Sequence, residues 1–495
     1  RTRAKVSVER ITARRHGLVV TELPYMVGPE RVIEKIKENV SAGRLKGIAA
    51  NVPGLVFRLE RDPGIDELEF PYISEGSEAL VQRLAALTAI RKLVDSGDIP
   101  QPARGKDVNN HIHTFYSFSP YSPAKAVYRS WEAGLATTGI MDHDSISGAE
   151  EFIEAGRIMG IATTVGAELR ADFSGTLLEG RRVNNPDQNT VTYVAMHGVP
   201  HTEIAAVKKF FEPICVERGI RNRAMVERIN AVLKLQAIAI DYDRDVVPLS
   251  MAQEAGSITE RHLLFAVAKK MSAHFGRGQA VLDFLKDQLG IEVSGGARGF
   301  LLDASNEMYD YDLLNVLKAQ LVEQFYVPAT SEAVPIKAVA DFCAEHGIVL
   351  AYAYLGDVGD SVTGDKKTQK FEDDFLDDVF TTIKQLGFKA VTYMAARNSK
   401  KQLDRLRAMC VENEMFQISG EDINQPRQKF ICEAMRNPEF DNLVDAAWAL
   451  IGHELSATEG LARGMFSAET LAKMPSLDAR IEYFKNYALQ NAVKN

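Results

Sequence analysis

Cysteine is scarce: Cys215, Cys343, Cys410 and Cys432 are the only four in 495 residues, and no two form a CxxC pair. That spacing excludes a disulfide framework and a structural zinc site, and it suits a reducing compartment. Long apolar runs are missing too. No stretch approaches a bilayer span, and the start of the chain carries no apolar signal core, so a cytoplasmic protein without a membrane partner is expected. Nor is there a basic excess. The formal net charge is −9, which argues against nucleic-acid binding over the whole surface and leaves only a local basic patch open. What remains is an ordinary globular composition, 46% hydrophobic and 25% charged, long enough for a large core and more than one domain.

Against that plain background, Asn110-His111-Ile112-His113-Thr114 stands out. In an extended chain residues i and i+2 face the same way, so His111 and His113 can converge on one metal ion. Other metal-ligand types recur where strands are expected to end: Asp142-His143-Asp144 after Gly139–Met141, Glu168 after Ile161–Val165, and His197 after Val191–Met196. Repeated strand–helix units imply parallel strands, and in such folds functional groups collect at the strands' C-terminal ends. His201, four residues beyond His197, reads better as a loop residue. Residues 348–354 form a near-continuous apolar run expected to be a buried parallel strand. A loop rich in Gly, Asp and Lys follows, in which Lys366 or Lys367 could meet a phosphate. The strand expected at Met415–Ser419 ends in Gly420-Glu421-Asp422-Ile423-Asn424, where Asp422 and Asn424 repeat the i, i+2 placement.

Between these pieces, residues 202–330 read as helices over 203–216, 221–235 and 261–275, the last introduced by a Ser257/Glu260 capping box. His262 and His274 on them are expected to be satisfied imidazoles. Six segments follow: 1–49, a helical lead-in at 50–105, a first barrel part at 106–201, a helical insertion at 202–330, a second barrel part at 331–440 and a helical tail at 441–495. In the lead-in, Ser77-Glu78 opens a helix with Leu80, Val81, Leu84, Leu87, Ile90 and Leu93 on one buried face.

Two resemblances attach to these residues. Residues 1–49, with strands expected near 4–10 and 17–24, a helix after Gly28-Pro29 and eleven Lys/Arg against five Asp/Glu, resemble an internal segment of the A subunit of bacterial type II DNA topoisomerases. That family's active-site tyrosine region lies outside the match, so no strand passage is implied. A small α/β appendage is expected, and any nucleic-acid contact would be through this segment.

From about 107 to 432 the chain resembles the polymerase-and-histidinol-phosphatase (PHP) family of metal-dependent phosphoesterases. NHIHT matches its first HxH motif and implies His111 and His113 as ligands; IMDHDSISG implies His143; GAEL implies Glu168 as a bridging carboxylate; SGEDIN implies Asp422, with Asn424 in place of a histidine. The resemblance implies a distorted (β/α)7 barrel holding one to three divalent ions, Mn, Zn or Fe, and acting on a small phosphorylated substrate. The expected metal set is His111, His113, His143, Glu168, His197, Asp422 and Asn424, with Glu168, Asp422 and Arg427 serving the reaction. Tyr116–Ser119 lacks the Asp the family carries after the first motif, and Ala351-Tyr352-Ala353-Tyr354 replaces its Ala-His-Pro. A degenerate, non-catalytic metal- or ligand-binding member is therefore the alternative.

Overall fold

The computed structural model describes residues 5–12, 15–22, 77–357 and 372–492, and the chain divides into two units, residues 1–61 and 62–495. In the first, β1 (Lys5–Thr12) pairs antiparallel with β2 (Arg15–Glu22). The helix expected after Gly28 and the loop around Lys366 and Lys367 lie outside the described residues.

The described residues of the second unit begin with helix α1 (Ser77–Asp95). Leu87 and Ile90 are fully buried on it, but Val81 is exposed, so the apolar face is narrower than its spacing suggests. Strand and helix then alternate through β3 (Val108–Ile112), α2 (Pro123–Glu132), β4 (Thr137–His143), α3 (Ala149–Met159), β5 (Ala162–Asp172) and β6 (Val191–His197). Local chemistry sets the boundaries. Ser122 accepts a hydrogen bond from the Lys125 N–H with Pro123 in the first turn of α2, and Gly160 closes α3 in the left-handed conformation.

The helical insertion contains α4 (Ile204–Leu233), α5 (Glu260–Phe275), α6 (Gln279–Leu289), α7 (Gly295–Leu302) and α8 (Tyr309–Phe325). Its apolar core, built on residues such as Met225, Leu264, Leu314 and Leu317, also takes in Phe115, Tyr116 and Phe118 of the loop after β3. Two helices expected over 203–235 are one continuous helix with Pro213 inside it. The expected capping box is also displaced by two residues. Thr259 caps α5 with the His262 side chain answering, and Ser257 is free for another task.

The barrel resumes with the short β7 (Val334–Pro335), α9 (Ile336–Glu345), β8 (Val349–Tyr354), α10 (Leu376–Gln385), β9 (Ala390–Tyr393), α11 (Lys400–Glu412) and β10 (Phe416–Ser419). Strand order is β10-β9-β8-β6-β5-β4-β3, with β7 beside β5. The ends of this sheet meet at a parallel bridge between Ile112 and Ile423, where the His113 N–H donates to the Ile423 carbonyl at 2.9 Å and the Ile423 N–H to the His111 carbonyl at 3.1 Å. The result is a nearly closed seven-stranded barrel. Gly420 makes the closure possible, because a Cβ there would lie 2.7 Å from the His111 nitrogen.

One strand departs from the expected parallel order. β6 runs antiparallel to both β5 and β8, with Glu168 opposite Ala195 and His197 opposite Val349. Its C-terminal end therefore points to the base of the barrel, and His197 lies deeper than Glu168. That base is plugged by α12 (Asp441–Glu459), followed by α13 (Ala468–Lys473) and α14 (Leu477–Asn491). Leu450 and Phe484 pack there against Ala195, Val349 and Phe416. Glu454 of α12, fully buried, accepts from the Val165 N–H at 2.7 Å and the Thr164 hydroxyl at 2.8 Å at the start of β5.

Candidate metal site

Register brings the candidate ligands together. β4 and β5 pair with His143 directly opposite Glu168, and the Ile112–Ile423 bridge lays Asp422 and Asn424 alongside His111 and His113. The Glu168 Oε1 atom is the focus, 3.5 Å from His111 Nε2, 3.4 Å from His113 Nε2 and 3.1 Å from His143 Nδ1. Asp422 Oδ1 lies 3.1 Å from His113 Nε2 on the other side. His111, His113 and Glu168 offer ligand atoms within 4.8 Å of one another, close enough to share one ion.

Charge follows from this crowding. Burial would raise the Glu168 carboxyl, but the imidazoles of His143, His111 and His113 outweigh it and bring it down to about 2. Burial holds Asp422 up, and the His113 imidazole 3.1 Å away together with the nearby His111 charge pulls it well below the usual carboxylate range. His143 goes the other way: burial drives it down to about 3, so it is a neutral imidazole at working pH. His111 is opposed by burial yet raised on balance by Glu168.

The remaining expected residues divide. Asn424 is buried, and its Nδ2 donates to Asp422 Oδ1 at 2.6 Å while its Oδ1 has no hydrogen-bond partner. His197 is buried below the cluster with Nε2 unpartnered, and burial with the His111 charge brings it down to about 3. Arg427 does not join the cluster. Its guanidinium grips Asp312 of α8 through Nε and Nη2, both at 2.8 Å, and stands 3.9 Å over the Phe300 ring. It ties the closing loop to the insertion. His201 sits at the base, 2.8 Å from Glu454. Tyr352 donates its hydroxyl to the buried Glu372, while Tyr354 bonds Asp373 at 2.6 Å and borders the pocket.

Several residues that sequence alone passed over support this geometry. Asp142 accepts from the Thr114 N–H at 2.7 Å, the Thr114 hydroxyl at 2.6 Å and the Ser117 hydroxyl at 2.6 Å, which folds the turn after His113. The Ser257 hydroxyl donates to the His143 carbonyl at 2.6 Å. Asp144 takes a left-handed backbone, φ 47°, and pairs with Arg218 of α4 at 2.5 Å. Arg218 belongs to a buried group in which Arg170, two residues after Glu168, and Arg221 meet Glu260 and Glu332 at 2.7–3.0 Å. Polar side chains that meet across 25 to 162 residues of sequence leave no periodic signal, which is why only the fold reveals these contacts.

Above the cluster lies a cavity of about 300 Å³, lined by His111, Glu168 and Asp422 at its floor and by Lys318, Tyr354 and Gln425 among its walls. The insertion thus roofs the barrel mouth.

No family model and no curated protein matches the chain. Among solved structures, a Bifidobacterium adolescentis protein named for an inferred metal-dependent phosphoesterase activity aligns with a TM-score of 0.44 and 17% identity, covering 68% of this chain and 96% of its own. A Chromobacterium violaceum amidohydrolase, with bound SO4 and no metal, aligns with a TM-score of 0.45 and 15% identity, covering 66% and 90%. Likeness of this degree leaves the reading of the site to its side chains.

Proposed function

We propose that the chain is a metal-dependent hydrolase of the polymerase-and-histidinol-phosphatase type, acting on a phosphoester of a small substrate. The observation that carries this reading is the convergence of three imidazole nitrogens on one oxygen of Glu168, with Asp422 beside them. The donors fit a cation: His113 Nε2 is buried without a hydrogen-bond partner, and the mixed imidazole and carboxylate set suits Zn, Mn or Fe better than Ca or Mg. His111, His113, Glu168 and Asp422 would hold the ion, with His143 and His197 as further donors. A bound divalent ion lowers the pKa of water and polarises a phosphoryl oxygen. Glu168 and Asp422 keep the donor set anionic, and His143, held neutral, keeps a lone pair to offer. The roofed cavity limits bulk water around a substrate of modest size, and Lys318 lines it on the insertion side.

Elemental analysis of purified protein, followed by assay of a generic phosphoester with added Mn, tests this. Absence of any transition metal together with no Mn-stimulated hydrolysis would sink it. His143→Ala should remove activity and weaken metal retention while the circular dichroism spectrum stays that of the parent.

Asn424 favours a second reading, a metal- or ligand-binding protein without turnover. Its amide occupies Asp422 Oδ1 at 2.6 Å, an oxygen a hydrolytic site would present to metal. Tight metal binding with no hydrolysis across a panel of phosphomonoesters and phosphodiesters would select it.

A further inference from the structure

We propose that Ser117, oriented by Asp142, is a positioning residue that holds His113 as the Nδ1–H tautomer and so turns the Nε2 lone pair toward Glu168 and Asp422. The proposal rests on the metal-binding reading of the cluster. It comes from counting hydrogens along a buried chain. The Thr114 N–H, 2.7 Å from Asp142 Oδ1, can only donate. The Thr114 hydroxyl oxygen accepts from the Tyr116 N–H at 3.3 Å, so its own hydrogen goes to Asp142 Oδ2 at 2.6 Å. Asp142 is thus the acceptor at the centre of the turn, and the Ser117 hydroxyl donates to it at 2.6 Å. That spends the one hydrogen Ser117 has. Its oxygen lies 3.2 Å from His113 Nδ1, and toward that nitrogen it can act only as an acceptor. Nδ1 therefore carries a proton, and the neutral ring has its lone pair on Nε2.

A second observation agrees. His113 Nε2 is buried, lacks a hydrogen-bond partner and faces Asp422 Oδ1 at 3.1 Å and Glu168 Oε1 at 3.4 Å. A nitrogen lone pair facing two carboxylate oxygens is repulsive unless a cation, a metal ion or a proton that it displaces, sits among them. Ser117 and Asp142 are both about 1% exposed, so water does not compete for these bonds. The arrangement puts a hydroxyl between carboxylate and imidazole, extending by one link the carboxylate–histidine pairing that orients ligands in metal sites.

The test reads the tautomer itself, in the full chain stripped of metal. Long-range 1H–15N correlation spectra of histidine-labelled protein at pH 8 report which ring nitrogen is protonated, with His113 assigned by the signals lost in His113→Gln. The expected result is a protonated Nδ1. In Ser117→Ala that preference should disappear and Zn affinity, measured by chelator competition, should fall ten- to a hundredfold. Ser117→Thr, which keeps the hydroxyl, should restore both. A ring protonated on Nε2 alone in the parent overturns the proposal. So does a Ser117→Ala protein with unchanged tautomer and Zn affinity. Should Ser117→Ala lose its fold, the parent spectrum still decides. Failure of the hydrolase reading is separate, because neither measurement uses turnover.

Discussion

Arginine 427 offers the sharpest contrast between a residue that serves a reaction and one that joins two parts of a fold. Arg427→Ala removes two hydrogen bonds of 2.8 Å to Asp312, one of 3.1 Å to Asn306 Oδ1 and a cation stacked 3.9 Å from Phe300. The Asp312 side chain is only 7% exposed, so its carboxylate is left nearly buried without its cation. Stranding one partner of a fully buried pair costs roughly 3–5 kcal/mol. Arg427 itself is 37% exposed, and solvent screening takes much of that away. Asn306 Nδ2 also continues to donate to Asp312 at 2.8 Å. Adding about 0.5 kcal/mol for the lost stacking, the net cost is about 2 kcal/mol. In a chain this size that lowers the melting midpoint by roughly 2 °C. A double-mutant cycle with Asp312→Asn should return a coupling of about 1–2 kcal/mol, since removing both charges leaves nothing stranded. Metal affinity and any metal-dependent hydrolysis per folded molecule should stay within about threefold of the parent. Unchanged melting with abolished hydrolysis would refute the strut and restore Arg427 to the reaction.

Stability should also fall with acid. Burial brings His197 and His262 down to about 3 and His453 to about 4, against about 6.5 in an unfolded chain. Between those values the unfolded state binds more protons, so stability is full above pH 6.5 and is lost as pH drops. At pH 5.5 these three imidazoles together cost about 4 kcal/mol, and urea midpoints at pH 7.5 and 5.5 should differ accordingly; equal midpoints would contradict it. At the base of the barrel, Gly452→Ala would place a Cβ 1.9 Å from the Phe484 carbonyl oxygen, forcing α12 and α14 apart. Overpacking of this kind costs about 2–3 kcal/mol, measurable by chemical denaturation, and an unchanged midpoint would mean the two helices are looser than drawn.

Much of this molecule was legible before any coordinates. The HxH pair and His143 sit at strand ends and Asp422 lies just beyond one, whereas Glu168, expected after a strand over 161–165, lies inside β5, which runs on to Asp172. Strand period alone puts residues i and i+2 on one face, so their convergence follows once the strands are ordered. What period cannot supply is direction. Val191–His197 reads as a strand whichever way it runs, and only pairing with β5 and β8 shows that it is reversed. Nor does composition distinguish an arginine aimed into a site from one aimed at Asp312. Ser117 looked like an absence, the place where an aspartate was missing. In the fold it is a link between Asp142 and His113.

The reversed strand bears on whether this protein is modular. Because β6 descends, the chain enters the insertion at the base, where His201 meets Glu454 beside the start of β5. It leaves near Val334, paired with Ala171 close to the opposite end of that strand. Six residues of strand separate those levels, about 20 Å. The insertion is therefore not a cassette with adjacent ends. Deleting it and joining the stumps with a few glycines would drag the barrel shut along its own height, and a graft into another barrel would need a reversed strand to receive it.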